Sequence, residues 1–463
     1  MLNQEKDNIT YSFVNNNEKE VEIFVGIEIY GTSKIKGING EYKTLFKDFI
    51  VKEIDRNGKI LSINEDLTSP NFSRDLKDKY TTFNLIKVNR DTFEAVRKVS
   101  KALKIPPNLI HYSGLKDKQS ISVQKMSIKG DFAKELKNLK IRDIFIRNIY
   151  PSKKPVKLGS HRGNHFTITV RNLDHVKNLK QDIEKRLNFL ETFGFPNYFG
   201  LQRFGNYRPN SHIVGRLLLE GDYENAFKEY VSTTYSTESD ESKRVRSEFN
   251  KNGNLQRAYD NFPKILKYER EMIKYLLEHP KDYQGATNTL PKDLIRLLIS
   301  SFQSYLFNRM ISTRVKKNIP LFKPVRGDVI SILDDTNGNI TQVKYIYGGK
   351  YDQFLKRALK INRALIVLPI IGSTTKLDEF PLMKTIFEYI CKIEKIDKHI
   401  FYSEYIDSSE FKGAIRAMTI KPSGLKMVEI AEDELNPGKS KVKIEFSLQK
   451  GSFATMVLRE LIK

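Results

Sequence analysis

The chain has 463 residues, enough for more than one folded domain, and its 79 Lys and Arg stand against 56 Asp and Glu, a formal charge of +23. Its single cysteine, Cys391, excludes an intramolecular disulfide and a cysteine-built zinc site, and no apolar run is long enough to span a bilayer. A basic surplus of this size points to a polyanionic partner, nucleic acid ahead of an anionic membrane or the ribosome, because phosphates offset the self-repulsion.

The opening MLNQEKDNITYSF has no signal-peptide core, so a cytoplasmic location is expected, or a nuclear one in a eukaryotic cell. Val21, Ile23, Val25, Ile27 and Ile29 alternate with other residues and predict a first strand, and Phe46 to Ile54 predicts a second. Asp91 or Thr92 caps a predicted helix whose Val96, Val99 and Leu103 share one face, and Ile105-Pro106-Pro107 ends it. Ile121 and Val123 suggest a strand, and Phe166, Ile168 and Val170 alternate clearly. A helix is expected from about Val176 to Phe193, stopped by Gly194. Ser236 to Asn254 is dense in charge and reads as an exposed loop or a solvated helix face. Leu294, Leu297, Leu298, Phe302, Tyr305 and Met310 recur at helical spacing. Gly327 to Ile332 looks like a strand entered from a turn. Val442, Ile444, Phe446 and Leu448 alternate again before a short helix, Phe453 to Ile462. Strands at both ends with helices between them indicate an α+β fold carrying an insertion.

Several kinds of site are missing. There is no GxxxxGK[ST] phosphate loop, no HExxH or CxxC spacing, and no zinc-deaminase signature. No metal and no cofactor is therefore expected, and chemistry carried by side chains alone is favoured. In HYSGLKDKQSISVQ, Asp117 lies between Lys116 and Lys118 just past a glycine. Neighbouring cations favour an ionised carboxylate, the form needed for attack at a sugar carbon. Alone, the segment reads more readily as a solvated Lys-Asp-Lys turn. In NYFGLQRFG, Asn197, Phe199 and Arg203 alternate aromatic rings with an amide and a guanidinium. That mixture suits stacking on a base and contact with phosphate, or else aromatic core packing. Phe453, after Gly451-Ser452, carries the same two readings.

Together these segments resemble the TruD family of pseudouridine synthases, with archaeal and eukaryotic members nearer than bacterial ones. FKDFIVKEI, SGLKDKQSISVQ, LGSHRGNHFTITVR, NYFGLQRFG, FQSYLFN, PVRGDVI, FKGAIR and FSLQKGSFATMVLREL follow the family's blocks in order from about Phe46 to the C-terminus. Ser113 stands where alanine is usual, and Ser120-Ile121-Ser122 replaces Ala-x-Thr. The resemblance implies a V-shaped molecule. A catalytic domain with a central antiparallel sheet would be built from both chain ends, residues 1–208 and 410–463. An inserted α/β TruD domain would span 209–409, with RNA bound in the cleft between. It implies conversion of uridine to pseudouridine, with uridine thirteen of tRNA as the family default and other folded RNA as substrates of some members. Asp117 would be the nucleophile, acting by attack at C1′ or by assisting a glycal-type elimination at C2′. Phe49, Asn197 and Phe453 would bind substrate, and Phe199 would pack on the target base. Lys116 and Arg203 would meet phosphate or keep Asp117 ionised. Glu53 could act or simply pair with a base. The rival readings are a non-catalytic RNA-binding protein of the same fold and a ribosome-assembly scaffold; neither would need Asp117. Oligomeric state is not legible.

Overall fold

The structure is a computed structural model and describes residues 11–32, 37–69, 80–175, 177–205, 207–334, 340–350, 353–403, 405, 407 and 410–463. The chain divides into two compact units. One comprises Lys34–Phe195, Asp334–Asn339 and Ile420–Lys463; the other comprises Met1–Ser33, Pro196–Leu333 and Ile340–Thr419.

The first unit is built on one sheet drawn from both of its long segments. Its main strands are β1 (Phe49–Ile54), β2 (Tyr80–Val88), β3 (Ile121–Lys129), β4 (Ile144–Ser152), β5 (Gly163–Asp174), β6 (Ser423–Glu432) and β7 (Lys439–Gln449). They lie in the order β6-β7-β5-β1-β3-β2-β4, with short strands Glu41–Tyr42 on β5 and Ile110–Tyr112 on β3. Neighbours run antiparallel except β1 and β3, which pair in parallel, so the expected antiparallel sheet is in fact mixed. The parallel contact arises because β2 and the helix Thr92–Leu103 intervene in sequence between β1 and β3.

The alternation in β7 is fully realised: Val442, Ile444, Phe446 and Leu448 are all buried. Phe49, Phe166 and Phe446 form an aromatic run across β1, β5 and β7, with centroids 6.0 and 5.3 Å apart. Asp91 caps the helix Thr92–Leu103 by accepting the Glu94 N–H, and Val96 and Val99 bury that helix on β2 and β3. A second helix, Leu179–Phe193, buries Ile183, Leu187 and Leu190; Val176, at its expected start, lies outside the described residues. A buried charge cluster ties the two segments together. Arg171 on β5 donates to Asp48 (2.8 and 2.9 Å) and to Asp433 (2.8 Å), and also to Glu434. Asp433 is desolvated, yet its Asn436, backbone and Arg171 hydrogen bonds win and hold it at about 2.

The second unit is mostly helical. Its axis is the 25-residue helix Lys292–Lys316, buried on nearly every side from Leu298 to Val315, which is why its apolar residues show little one-sidedness. The helix Ser211–Glu220 crosses it at Gly215, where an added Cβ would sit 2.2 Å from the Leu298 carbonyl oxygen; only glycine permits that approach. Val214, Leu218, Phe227, Phe249, Met272 and Leu276 form the adjoining core. An antiparallel sheet completes the unit, in the order Ile340–Ile346, Val329–Leu333, Ala364–Ile370, Ala414–Ala417. The charge-dense stretch is a helix, Asp240–Asn252, whose Val245, Arg246 and Phe249 face inward, so it is only half solvated.

The predicted strand over Val21–Ile29 is not formed. Residues Asn16–Phe24 are helical, the chain turns at Gly26 (φ +80°), and only Ile29–Tyr30 is extended. Val25, Ile27 and Ile29 are all fully buried, so their alternation reports burial around a turn and not a sheet face. No helix among the described residues is long and apolar enough to cross a membrane.

Candidate active site

Asp117 sits in the loop between the short strand Ile110–Tyr112 and β3, and many side chains fix that loop. The Lys116 N–H donates to Thr92 Oγ1 (3.0 Å), and Gln124 Nε2 donates to the Gly114 carbonyl (3.1 Å). The Asp117 carbonyl accepts Ser120 Oγ at 2.7 Å and Lys87 Nζ at 2.6 Å. Such a net leaves the Asp117 side chain little freedom of direction. Its Oδ2 accepts Lys43 Nζ at 2.8 Å, and the carboxylate is still 34% exposed. The loop is therefore tied down through its backbone, with the carboxylate paired at one oxygen and still open to solvent.

Lys43 reaches Asp117 from the segment before β1. Its Nζ lies 4.4 Å from the centre of the Phe49 ring, and its carbonyl accepts Gln119 Nε2 at 2.6 Å. Phe49 itself is buried, so it supports Lys43 from below and presents no open face. The Arg171–Asp48 contact anchors the turn between them: Asp48 Oδ2 also accepts the Leu45 N–H at 2.8 Å.

Lys116 points away from Asp117. Its side chain is 3% exposed and donates to Glu53 Oε2 at 3.0 Å; Ser113 Oγ donates to the same oxygen. Glu53 thus takes the basic partner foreseen for it, and Lys116 is spent inside the loop's foundation. Ser113, a departure from the family's alanine, is what adds the second donor. Lys87 is fully buried and also donates to the Arg90 carbonyl at 2.6 Å. Desolvation lowers it to about 8, against the pull of the Asp117 charge.

In the other unit, NYFGLQRFG is wired just as densely. Asn197 is buried; its N–H donates to Met418 O (2.9 Å) and its Nδ2 to Ala417 O (2.9 Å), while its Oδ1 accepts Arg416 (2.7 Å). Both ends of the amide are engaged within the protein, and what they orient is Arg416. The Arg416 guanidinium lies 4.1 Å from the centre of the half-exposed Phe199 ring, with Arg203 at 6.0 Å. Arg203 Nε donates to Ser304 Oγ at 3.1 Å, and Phe199 is clasped through its backbone by Asn308 (2.8 and 3.0 Å). Burial pulls both arginines below their usual range, and for Arg416 the Arg203 charge adds to it. Asn197 and Ser304, both neutral, are among the groups that hold them.

Phe453 is the N-cap residue of the final helix, Ala454–Ile462, with an extended backbone. It is half-buried, whereas Met456, Val457, Leu458 and Leu461 of that helix form its core face.

The family model for tRNA pseudouridine synthase D (TruD) matches residues 24–461. The chain belongs to the TruD family. It is 32% identical over 448 residues to a probable tRNA pseudouridine synthase D of Methanosarcina mazei, covering 96% of this chain and 98% of the relative. To one from Thermococcus sibiricus it is 30% identical over 437 residues, 93% of this chain and 96% of the other. The crystal structure of a provisionally named tRNA pseudouridine synthase D (TruD) from Methanosarcina mazei aligns with a TM-score of 0.78 at 31% identity, covering 96% of this chain and 98% of that one.

For this TruD-family chain, sequence reasoning missed three cations. Lys43 and Arg416 lie far in sequence from the residues they serve. Lys87 lies near the end of β2, which is buried on both faces, so nothing local in the sequence marks it as turned inward. A signal existed for one of them, since FKGAIR, which contains Arg416, is a family block no role was given to. Among the described residues no group of His, Cys, Asp or Glu is placed to hold a metal.

Proposed function

We propose that this chain isomerises uridine to pseudouridine in tRNA, at uridine thirteen, with Asp117 as the nucleophile. The observation that carries the reading is the Asp117 carboxylate, locked through its backbone, paired with Lys43 at 2.8 Å and one-third exposed. An acid so placed, with a cation on one oxygen and an open face, can reach a bound sugar. The C1′–N1 bond breaks, the uracil turns, and C1′ joins C5. The C5 proton leaves and N1 takes one up, so atoms balance with no added reactant. Attack at C1′ and assistance at C2′ both begin from this ionised acid.

The target uridine must leave its stack, at a cost of a few kcal/mol. Aromatic stacking at roughly 1–3 kcal/mol per base offsets this, and Phe199 with Arg416 over one face and Phe453 at its helix cap are the residues proposed to supply it. Arg203, with Arg416 beside it, is the proposed phosphate contact. Asn197 is proposed to act by holding Arg416 and Phe199 in place, and Phe49 and Lys116 by supporting Lys43 and the Asp117 loop. We propose residues 209–409 as the family-specific insertion. In support, they fall in the helical unit apart from Asp334–Asn339; residue 409 itself lies outside the described residues. A cytoplasmic location follows from the substrate.

The test is to incubate the purified chain with unmodified tRNA and map pseudouridine by position. Wild type should convert uridine thirteen, including in EDTA once the RNA is shown to be folded. Asp117→Asn should turn over roughly 10³-fold more slowly or not at all, while binding the RNA as before. Robust conversion by Asp117→Asn would remove the nucleophile from the reading; conversion at another uridine would move the site.

A further inference from the structure

Beside the Asp117 loop the first unit contains a cavity of ≈ 570 Å³, within the usual size of a ligand site. Its inner wall includes Glu53, Lys125, Thr82 and Tyr150, and its outer wall is the segment 154–161. The polar groups at its base are already satisfied. Glu53 holds Lys116 at 3.0 Å, Asp55 holds Lys125 at 3.2 Å, and Thr82 and Ser152 share a hydrogen bond of 2.6 Å. Its two carboxylates are thus neutralised from within.

The rim differs. Arg56, Lys154 and Lys157 line the cavity and are exposed, and none of them pairs with a carboxylate among the described residues. Leu158, 76% exposed, lines the same cavity, an apolar side chain that the protein leaves in water. Burial, then the Lys116 charge, keeps the cavity's His161 ring below its usual pKa, so at neutral pH it presents an uncharged ring. Three cations around an apolar and aromatic lining suit one kind of ligand: a group with a phosphate at one end and a flat apolar face at the other.

The cavity is also wired to the catalytic loop. The Gly159 N–H donates to the Ser113 carbonyl at 2.7 Å, and Ser113 is four residues before Asp117. Glu53, part of the cavity wall, is the group that holds both Ser113 and Lys116. Lys450 Nζ braces the outer segment by donating to the Gly159 carbonyl at 3.0 Å. A ligand in the cavity therefore rests against the same scaffold that aims Asp117.

We infer that this cavity binds a nucleotide of the substrate RNA that flanks the reacting uridine, its phosphate on Arg56, Lys154 and Lys157 and its base against Leu158 and Tyr150. The inference rests on the proposed function, since it takes the reacting nucleotide to lie at Asp117. It gives the enzyme a grip on sequence or backbone next to the target, independent of the aromatic motif in the other unit.

The test is the double variant Lys154→Ala/Lys157→Ala, whose side chains are exposed, so that a thermal melt should match wild type. With an unmodified tRNA transcript at low salt, Kd should rise about 10-fold and the slope of log K against log salt should flatten by about 1. KM should rise in step with Kd while kcat stays within about twofold of wild type, and Lys154→Arg/Lys157→Arg should restore both Kd and KM. A transcript made abasic at the nucleotide on either side of the target should bind wild type more weakly at one of the two positions. The same lesion should make no further difference to Leu158→Ala. Wild-type Kd and salt slope in the double variant would overturn the inference, whatever the activity. Binding is read without turnover, so a wild-type chain that grips tRNA here but forms no pseudouridine sinks the proposed function alone.

Discussion

Asp117 and the Asn197–Arg203 motif are both held by dense hydrogen bonding, but their charges are arranged in opposite ways. Around Asp117 a single acid is matched by Lys43, with Lys87 bound to its carbonyl and Lys116 diverted to Glu53. Around Phe199 two arginines crowd together and burial lowers both. A carboxylate with one close cation and an open face fits the reacting group we propose. A pair of desolvated guanidiniums over an aromatic ring fits the anion contact we propose, because an incoming phosphate would repay what burial costs them. On the proposed function, the first region serves turnover and the second grip, and substitutions should separate them.

Lys43→Met should have the largest effect of the variants beyond Asp117 itself. We expect turnover at saturating RNA to fall about 10–100-fold, with Lys43→Arg retaining part of it, because the pairing charge beside Asp117 is lost. RNA affinity should change little. If Kd weakens as much as turnover, Lys43 belongs with the gripping residues and the contrast collapses.

Arg416→Gln should give the converse. Loss of a charged contact worth roughly 1.5–3 kcal/mol should weaken tRNA binding about 10-fold or more and flatten the salt dependence by about one phosphate contact. Single-turnover rates at saturating RNA should stay within a few-fold. A salt series with fluorescent tRNA measures the first, and rapid quench measures the second.

Lys87 offers a pH handle on the Asp117 side. Asp117, Lys116, Asp91 and Lys43 are the charged groups that act on it, and burial takes it from the ordinary 10.5 to about 8. Below pH 8 it is protonated in both states, and its burial costs stability. From pH 8 to 10.5 the folded protein releases the proton while the unfolded chain keeps it, so stability should rise with pH by about 1–3 kcal/mol from this group. Denaturation of Lys87→Met across that range should lack this increment. An identical pH profile in wild type and variant would show that Lys87 stays charged in the fold.

The smallest effect on stability is expected at Phe453. As a half-buried cap residue it should cost well under the roughly 3–5 kcal/mol of a core phenylalanine when replaced by Ala. Turnover should drop while the melting temperature hardly moves. A large loss of melting temperature with normal turnover would return Phe453 to the core of its helix.

Much of this could be read from the sequence because it depends on neighbours along the chain. The two-residue period of Val442 to Leu448 became β7, Asp91 became the cap of the helix that it precedes, and the motif blocks gave the family in order. Local periodicity failed at Val21–Ile29, where a helix and a turn bury the same residues that a strand would. The direction of a charge was beyond it altogether. Lys116 touches Asp117 in sequence and reaches Glu53 in space, whereas Lys43 is 74 residues from Asp117 and pairs with it. Asn197 suggested a base-reading amide, and the fold turned it to Arg416, 219 residues further on. The sequence by itself determined which residue types were present and the elements they form, since propensity and patterning act over a few residues. Which cation meets which anion was decided only by the tertiary structure, because Coulomb and hydrogen-bond energies depend on distances that are set when remote segments pair in one sheet.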